Sequence, residues 1–312
     1  MTALVTGGAG FIGSHLVEAL CARGANVRVL DDLSLGSISN LSHIKGHIDL
    51  IQGSIADRDL IRKAVQGVEF VFHLAAYPSV AYSVEQPELT NAINLEASLA
   101  ILAEGSAARV RRIIFSSSSA VYGERSEPAR ETDPVNPLSP YALQKYASER
   151  YVVLYSHLRN SPGTALRYFN VFGPRQSFNS PYSGVIARFC TALVSQSRPT
   201  IFGQGDQSRD FVSVHDVVQA NLLAAEQQAA IGRVFNIGNG KTITIRQLLD
   251  TLNKINNSQV EPNFEPPRTG EIQFSCADIS AARAHLGYVP KVSIEDGLRE
   301  TLQFYRSGST HS

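Results

Sequence analysis

A strand, a glycine-rich turn and a helix fill the start of the chain, and this unit limits the possible folds more than any other feature. Ala3–Thr6 reads as a short buried strand, TGGAGFIGS as the turn and Ile12–Ala22 as a helix. Gly7, Gly10 and Gly13 fall at every third position of that turn. Glycines directly after a strand and directly before a helix let backbone N–H groups and the helix N-terminus approach a pyrophosphate. A plain tight turn is the alternative, and the placement of the triplet argues against it. The second strand, Asn26–Leu30, runs into Asp31, where a carboxylate accepts hydrogen bonds from an adenosine ribose. A 2′-phosphate would meet like charge there, so NAD is the expected dinucleotide; Asp32 could share the contact.

The first half continues as βα units. Asp49–Gln52, Glu69–Leu74 and Arg112–Ser116 read as strands, with helices at Asp59–Val65 and Glu88–Ala107. A doubly wound parallel sheet follows, since parallel neighbours need crossover helices that cover both faces. A helix at Tyr141–Leu158 and a strand at Ala165–Phe169 extend it. After Gly173 the segment PRQSFNSPYSG loosens the pattern, which places a soft boundary between a dinucleotide-binding domain (1–173) and a smaller α/β lobe (174–312). The chain could cross back between them. Thr244 with Gln247, and Ser293 with Asp296, mark helix starts in the second lobe.

Lys and Arg number 28, matched by 28 Asp and Glu, so net charge gives no reason to expect nucleic acid or anionic lipid as a partner. Cys21, Cys190 and Cys276 are odd in number and widely spaced, against both a disulfide framework and a zinc site. No apolar run is long enough to span a membrane. The opening residues leave no room for a cleavable signal, and a reducing cytoplasm is the expected setting. The histidines show no HExxH spacing, and no metal is expected.

Tyr141 and Lys145 form YALQK in a helix, where residues four apart stand one turn above each other on the same face. Free tyrosine is a poor base at neutral pH, and a nearby ammonium together with a nicotinium favours its phenolate. The spacing is common by chance; its weight comes from the fifth strand. That strand ends in FSSSSAVYG, which would bring serines to the carboxyl edge of the sheet, where open α/β folds bind ligands. Ser118 is selected to meet a substrate, with Ser117 and Ser119 as alternatives.

In order along the chain, TGGAGFIGS, HLAA at 73–76, SSSSAVYG, YALQK, RYFNVFGPRQ at 167–176 and GQGDQSRDFVSVHDV at 203–217 resemble the extended short-chain dehydrogenase/reductase family. The likeness is strongest to its UDP-sugar 4-epimerases and runs from Thr6 to about Leu286. The resemblance implies a Rossmann-type domain with a smaller substrate-binding lobe. It implies NAD held by Gly7, Gly10, Phe11, Ile12, Gly13, Asp31, Ile55, Leu74, Ala75 and Ala76, with Tyr141 and Lys145 at its nicotinamide half. Tyr141 would take the proton of the sugar 4-hydroxyl, and Ser118, chosen by alignment on Phe115, would relay it. Asn170, Arg209 and Arg268 would meet the diphosphate, and Ser79, Val185 and Ser275 other parts of the substrate. Members of the family usually pair through two helices each, here Glu88–Ala107 and Tyr141–Leu158, so the resemblance implies a homodimer built on a four-helix bundle. Two positions depart from the pattern: Ser54 replaces an acidic residue that often meets the adenine, and Ser79–Val80 stand where some members carry a lysine.

A position just ahead of Ala277–Asp278 forms, in that family, a wall beside the sugar 2-substituent, and a tyrosine there excludes N-acetyl groups. Here it is Ser275. The resemblance therefore implies UDP-N-acetylglucosamine and UDP-N-acetylgalactosamine as substrates beside the UDP-glucose/UDP-galactose pair. Dehydratases and decarboxylases of the family carry an extra acid between the serines and VYG, where this chain has Ser119–Ala120. A UDP-glucuronate 4-epimerase stays open, its carboxylate met in the 79–83 region. A non-enzymatic NAD-sensing protein would have no reason to keep Tyr141, Lys145 and the serines together.

Overall fold

The computed structural model describes residues 1–159, 161–177, 184–267 and 272–308. Six strands of the main sheet come in chain order: β1 (Thr2–Thr6), β2 (Asn26–Asp31), β3 (Ile48–Gln52), β4 (Phe70–His73), β5 (Arg112–Ser118) and β6 (Gly163–Tyr168). Across the sheet the order is Arg233–Ile237, β6, β5, β4, β1, β2, β3, all parallel. Successive crossovers run outward in opposite directions from β1 and β4, which leaves a crevice at their carboxyl ends. Both faces are covered, as the continuous apolar strands require. Leu4 packs in the core on one face and its neighbour Val5 in the core on the other, the alternation that a pleated strand imposes.

The flanking helices are α1 (Phe11–Ala22), α2 (Arg58–Ala64), α3 (Val80–Glu85), α4 (Pro87–Asn91), α5 (Ala97–Ala107) and α6 (Pro140–Leu158). The single helix read over 88–107 is interrupted: α4 and α5 are joined by a π-helical turn at Ala92–Glu96. Its carbonyl at Asn94 is occupied by the hydroxyls of Ser98 at 2.7 Å and Ser148 at 2.9 Å, a local cause for the widened turn.

A separate apolar cluster gathers Phe172, Ile186, Phe189, Phe211, Leu248 and Leu298. Thr244 accepts the Gln247 N–H at 3.1 Å while the Gln247 side chain accepts the Thr244 N–H at 2.9 Å, the reciprocal cap read from the sequence. Ser293 accepts the Asp296 N–H at 3.1 Å. The chain crosses back twice: Arg233–Ile237 pairs with β6, and the helix Val214–Glu226 packs on α1. Among the described residues no helix is long and apolar enough to cross a membrane.

Candidate active site

The three glycines of the first turn differ in what a side chain would meet. At Gly7, with φ of +70°, a Cβ would lie 2.7 Å from the Ala75 nitrogen; at Gly13 it would lie 2.0 Å from the Gly7 carbonyl oxygen. These two permit the tight turn and the close approach of helix to strand. Gly10 is the N-cap of α1, offers no side-chain cap, and no acidic residue stands in the first turn. The amides of Phe11 and Ile12 are among those that a helix start leaves without an intrahelical acceptor, which suits a diphosphate. Asp31 is buried at the end of β2 and accepts the Ala9 and Leu33 N–H groups, each at 2.8 Å. Burial raises its pKa, partly offset by those two donors. Each of its oxygens keeps a lone pair for a ribose hydroxyl. Asp32 is turned to Ser34 instead, accepting from its N–H at 2.9 Å and its hydroxyl at 2.6 Å. Ile55 is buried, and Asp57, beyond Ser54, is spent on capping α2. The residues present fit a dinucleotide.

One face of α6 meets the end of β5. Ser139 caps the helix by accepting the Ala142 N–H at 3.1 Å, Pro140 opens its first turn, and the Ser83 hydroxyl accepts the Tyr141 N–H at 3.0 Å. Tyr141, Lys145 and Glu149 then recur at every fourth residue, and each engages a different serine. The Ser118 hydroxyl lies beside the Tyr141 phenol and favours its ionised form. Lys145 Nζ donates to the Ser116 carbonyl at 2.7 Å and lies 4.8 Å from the centre of the Phe115 ring. Ser117 donates to Glu149 at 2.8 Å, and Glu149 in turn takes a two-pronged grip from Arg167 at 2.8 and 2.6 Å. Of the serines considered, Ser118 is thus the one beside Tyr141, and Ser119 begins the 3-10 turn Ser119–Tyr122.

Burial governs the electrostatics of this face in the chain without cofactor. In the chain alone burial raises the Tyr141 pKa, with the Ser118 hydroxyl acting the other way. Lys145 is itself buried, and desolvation lowers its pKa to about 7. Its ammonium is directed at the Ser116 carbonyl rather than spent on the phenol.

His73, quoted within HLAA without a role, ties the turn to this face. Burial, with Lys145 adding, lowers its pKa to about 3, so the ring is neutral at physiological pH. Ser98 donates its hydroxyl proton to the Asn94 carbonyl, so it accepts from His73 Nε2–H at 2.8 Å. Nδ1 is then the acceptor for the Thr6 hydroxyl at 2.7 Å, and Thr6 accepts the Ala75 N–H at 3.3 Å. Asn94 continues the chain, its side chain bonding the Tyr77 N–H at 2.8 Å, the Tyr77 carbonyl at 3.1 Å and Gln144 of α6 at 2.9 Å. The HLAA motif could have pointed to His73; nothing in the sequence pattern marked Asn94 or Ser98.

On the substrate side, Arg209 lies in the two-residue strand Ser208–Arg209, paired on one side with Ile243–Thr244 and on the other with Phe274–Ser275, where Ser275 faces Arg209 in register. Its guanidinium donates to the Ser208 carbonyl at 2.9 Å. Asn170 begins a short parallel strand, β7 (Asn170–Phe172), beside Phe211–Ser213. Ser79 caps α3, accepting the Tyr82 N–H at 3.0 Å. Val185 opens the helix Val185–Val194. Arg268 lies outside the described residues. Among those described, no cluster of three or more His, Cys, Asp or Glu could hold a metal.

Comparison with known proteins agrees on the family, while the relatives include 4-epimerases of several UDP-sugars and a UDP-N-acetyl-alpha-D-glucosaminuronate decarboxylase of Bacillus cytotoxicus, 33% identical over 97% of each chain. The model of the NAD dependent epimerase/dehydratase family matches residues 3–238. A UDP-glucose 4-epimerase of Mycolicibacterium smegmatis is 38% identical over 314 residues, spanning 99% of this chain and 100% of that protein. The structure of a UDP-glucose 4-epimerase from Thermotoga maritima with UDP-glucose matches with a TM-score of 0.94 and 40% identity, covering 99% of each chain. A UDP-N-acetylglucosamine 4-epimerase from Methanobrevibacter ruminantium, in complex with UDP-N-acetylmuramic acid, matches with a TM-score of 0.94 and 39% identity over 98% of each. With the strand order, the glycine turn and these matches in agreement, the chain belongs to the NAD-dependent epimerase/dehydratase family, in its extended short-chain dehydrogenase/reductase form, with NAD as cofactor.

Proposed function

We propose that this chain inverts C4 of UDP-hexoses, accepting UDP-N-acetylglucosamine and UDP-N-acetylgalactosamine as well as UDP-glucose and UDP-galactose. The observation that carries the reading is the hydroxyl pair Tyr141–Ser118 at the carboxyl edge of the sheet, one helical turn from a buried Lys145. NAD, when bound, supplies the hydride acceptor and donor for C4 and a positive charge that favours the Tyr141 phenolate. Tyr141 takes the proton of the 4-hydroxyl, directly or through Ser118, and gives it back after the sugar has turned its other face. Ser118 suits this relay because its oxygen accepts the Ala120 N–H at 3.2 Å, which leaves its hydroxyl proton for transfer, and it lies beside the phenol. Lys145, held by the Ser116 carbonyl, keeps a donor group at the nicotinamide-ribose end.

Arg209 and Asn170, with Arg268, are assigned to the diphosphate, since a guanidinium fork matches phosphate oxygens. Close to Arg209 in the chain is a cleft of about 450 Å³ whose walls include Phe202, Phe264, Pro266 and Pro267, apolar surfaces suited to a base. Ser275 leaves room for an acetamido group. A second reading, UDP-glucuronate, draws on Ser79: its oxygen is taken by the Tyr82 N–H, but its hydroxyl proton remains for a carboxylate. Apolar residues on α3, α4 and α6 stay exposed, among them Val84 at 62%, Leu143 at 58% and Leu158 at 75%, whereas Ile101, Leu102 and Val152 are buried in the core. This outer stripe supports pairing of two copies through these helices.

Ser275→Tyr tests the substrate assignment. The variant should keep turnover of UDP-glucose and lose that of UDP-N-acetylglucosamine by about tenfold or more, since a bulky side chain would overlap the acetamido group. Wild-type turnover of UDP-glucose without any of UDP-N-acetylglucosamine would contradict it.

A further inference from the structure

The residues assigned to the substrate come from segments far apart in sequence, and one buried residue joins them, its main chain bonding Asn170 and Ser275 and its side chain bracing the flanking segments at Asn239, Gly240 and Ala277. Asp210 has no exposed surface. Its Oδ1 accepts the Asn239 N–H at 2.7 Å, and its Oδ2 accepts the Gly240 N–H at 2.9 Å and the Ala277 N–H at 3.0 Å. Its main chain does as much. The Asp210 N–H donates to the Ser275 carbonyl at 2.8 Å, and its carbonyl accepts the Asn170 N–H at 3.0 Å and the Asn170 side-chain amide at 3.2 Å. Arg209 is its chain neighbour and the register partner of Ser275.

A carboxylate buried among backbone donors is costly to desolvate, and burial raises its pKa to about 6 despite the three N–H groups. An apolar residue would fill the space without that cost but would leave three amides unpaired. The surrounding sequence is shaped to it as well. A Cβ on Gly238 would lie 2.7 Å from Asp210 Oδ2 and 2.7 Å from the Ala277 Cβ, and Gly240, a donor, has φ of +75°. The run NIGNG at 236–240 therefore wraps the carboxylate in a way that side chains at 238 and 240 would oppose.

We infer that Asp210 is a positioning residue for the nucleotide-sugar half of the site: it holds Asn170, Arg209 and Ser275 in mutual register and acts on substrate affinity, leaving the cofactor and the chemistry at Tyr141 alone. The inference rests on the reading of those three residues as substrate contacts. Asp210→Asn keeps the shape but turns an amide N–H₂ toward a backbone N–H. Its effect is read by calorimetric titration with UDP, by the NAD content of the protein, and by kcat and KM for UDP-glucose.

The expected result is a UDP dissociation constant raised about tenfold or more, from loss of one or two buried hydrogen bonds. KM should rise by a similar factor, with kcat and NAD content close to wild type. UDP affinity within about twofold of wild type overturns the inference, as does an equal loss of NAD, which would mark a purely structural role. If Asp210→Asn does not fold, Gly238→Ala, which presses on the same carboxylate, is judged by the same readings. Failure of the wild-type protein to bind UDP would instead overturn the functional reading of the site, a result distinct from failure of the variant.

Discussion

Tyr141, Lys145 and Glu149 share one face of a 19-residue helix, whereas Asn170, Arg209 and Ser275 sit on strands of three, two and two residues drawn from separate stretches. In the first region the helical period sets the spacing of the functional groups, and three neighbouring serines of β5 receive them in turn. In the second, pairings too short to fix a geometry are gathered by Asp210. On the proposed reading the contrast separates two kinds of dependence: chemistry and stability would rest on the helix face, and substrate affinity on the hub.

The largest effect should come from Tyr141→Phe. Removing the phenol should lower kcat by about a thousandfold while UDP and NAD affinities stay near wild type, because a positioned acid–base group contributes about that much. Steady-state kinetics with UDP binding check it; a comparable loss of UDP affinity would erase the distinction between the regions.

Glu149→Gln probes the far end of the same face. Glu149 and Arg167 are both buried and paired at 2.6 Å, so removing one charge leaves the other uncompensated. The loss should be about 3–5 kcal/mol of unfolding free energy, read from the urea midpoint at unchanged slope. A loss below about 1 kcal/mol would show that this ion pair does not fix the helix to the sheet.

The smallest effect is acid sensitivity at His73. Its pKa falls from 6.5 in the unfolded chain to about 3 in the fold, so the stabilisation is present above pH 6.5 and is lost as the pH falls toward 3. In that window the unfolded state binds a proton that the folded state refuses. Between pH 6.5 and about 5 the wild-type protein should lose roughly 2 kcal/mol more than His73→Asn. Parallel urea titrations at the two pH values measure it, and equal slopes would remove His73 from the scaffold linking the turn to α6.

The contrast also explains what the sequence made legible. Gly7, Gly10, Gly13, Asp31, Tyr141 and Lys145 lie on or beside regular elements, where periods of 2 and 3.6 translate spacing directly into geometry. The break at Ala92–Glu96 escaped because a π turn alters hydrogen bonding without changing composition. Asp210 escaped because its partners are mainly backbone amides, which every residue possesses and no motif records. The burial that raises the Tyr141 pKa in the chain without cofactor is likewise invisible in YALQK, because it comes from packing against distant segments.

The central claim, inversion of a UDP-hexose at C4, is tested most directly by incubating the purified chain with UDP-N-acetylglucosamine, UDP-glucose and UDP-glucuronic acid in separate reactions without added NAD, with products resolved by NMR. The account predicts C4 epimers from the first two, formed without net consumption of cofactor. No epimer even after NAD is supplied, or a 4-keto-6-deoxy sugar or a pentose in its place, would contradict it.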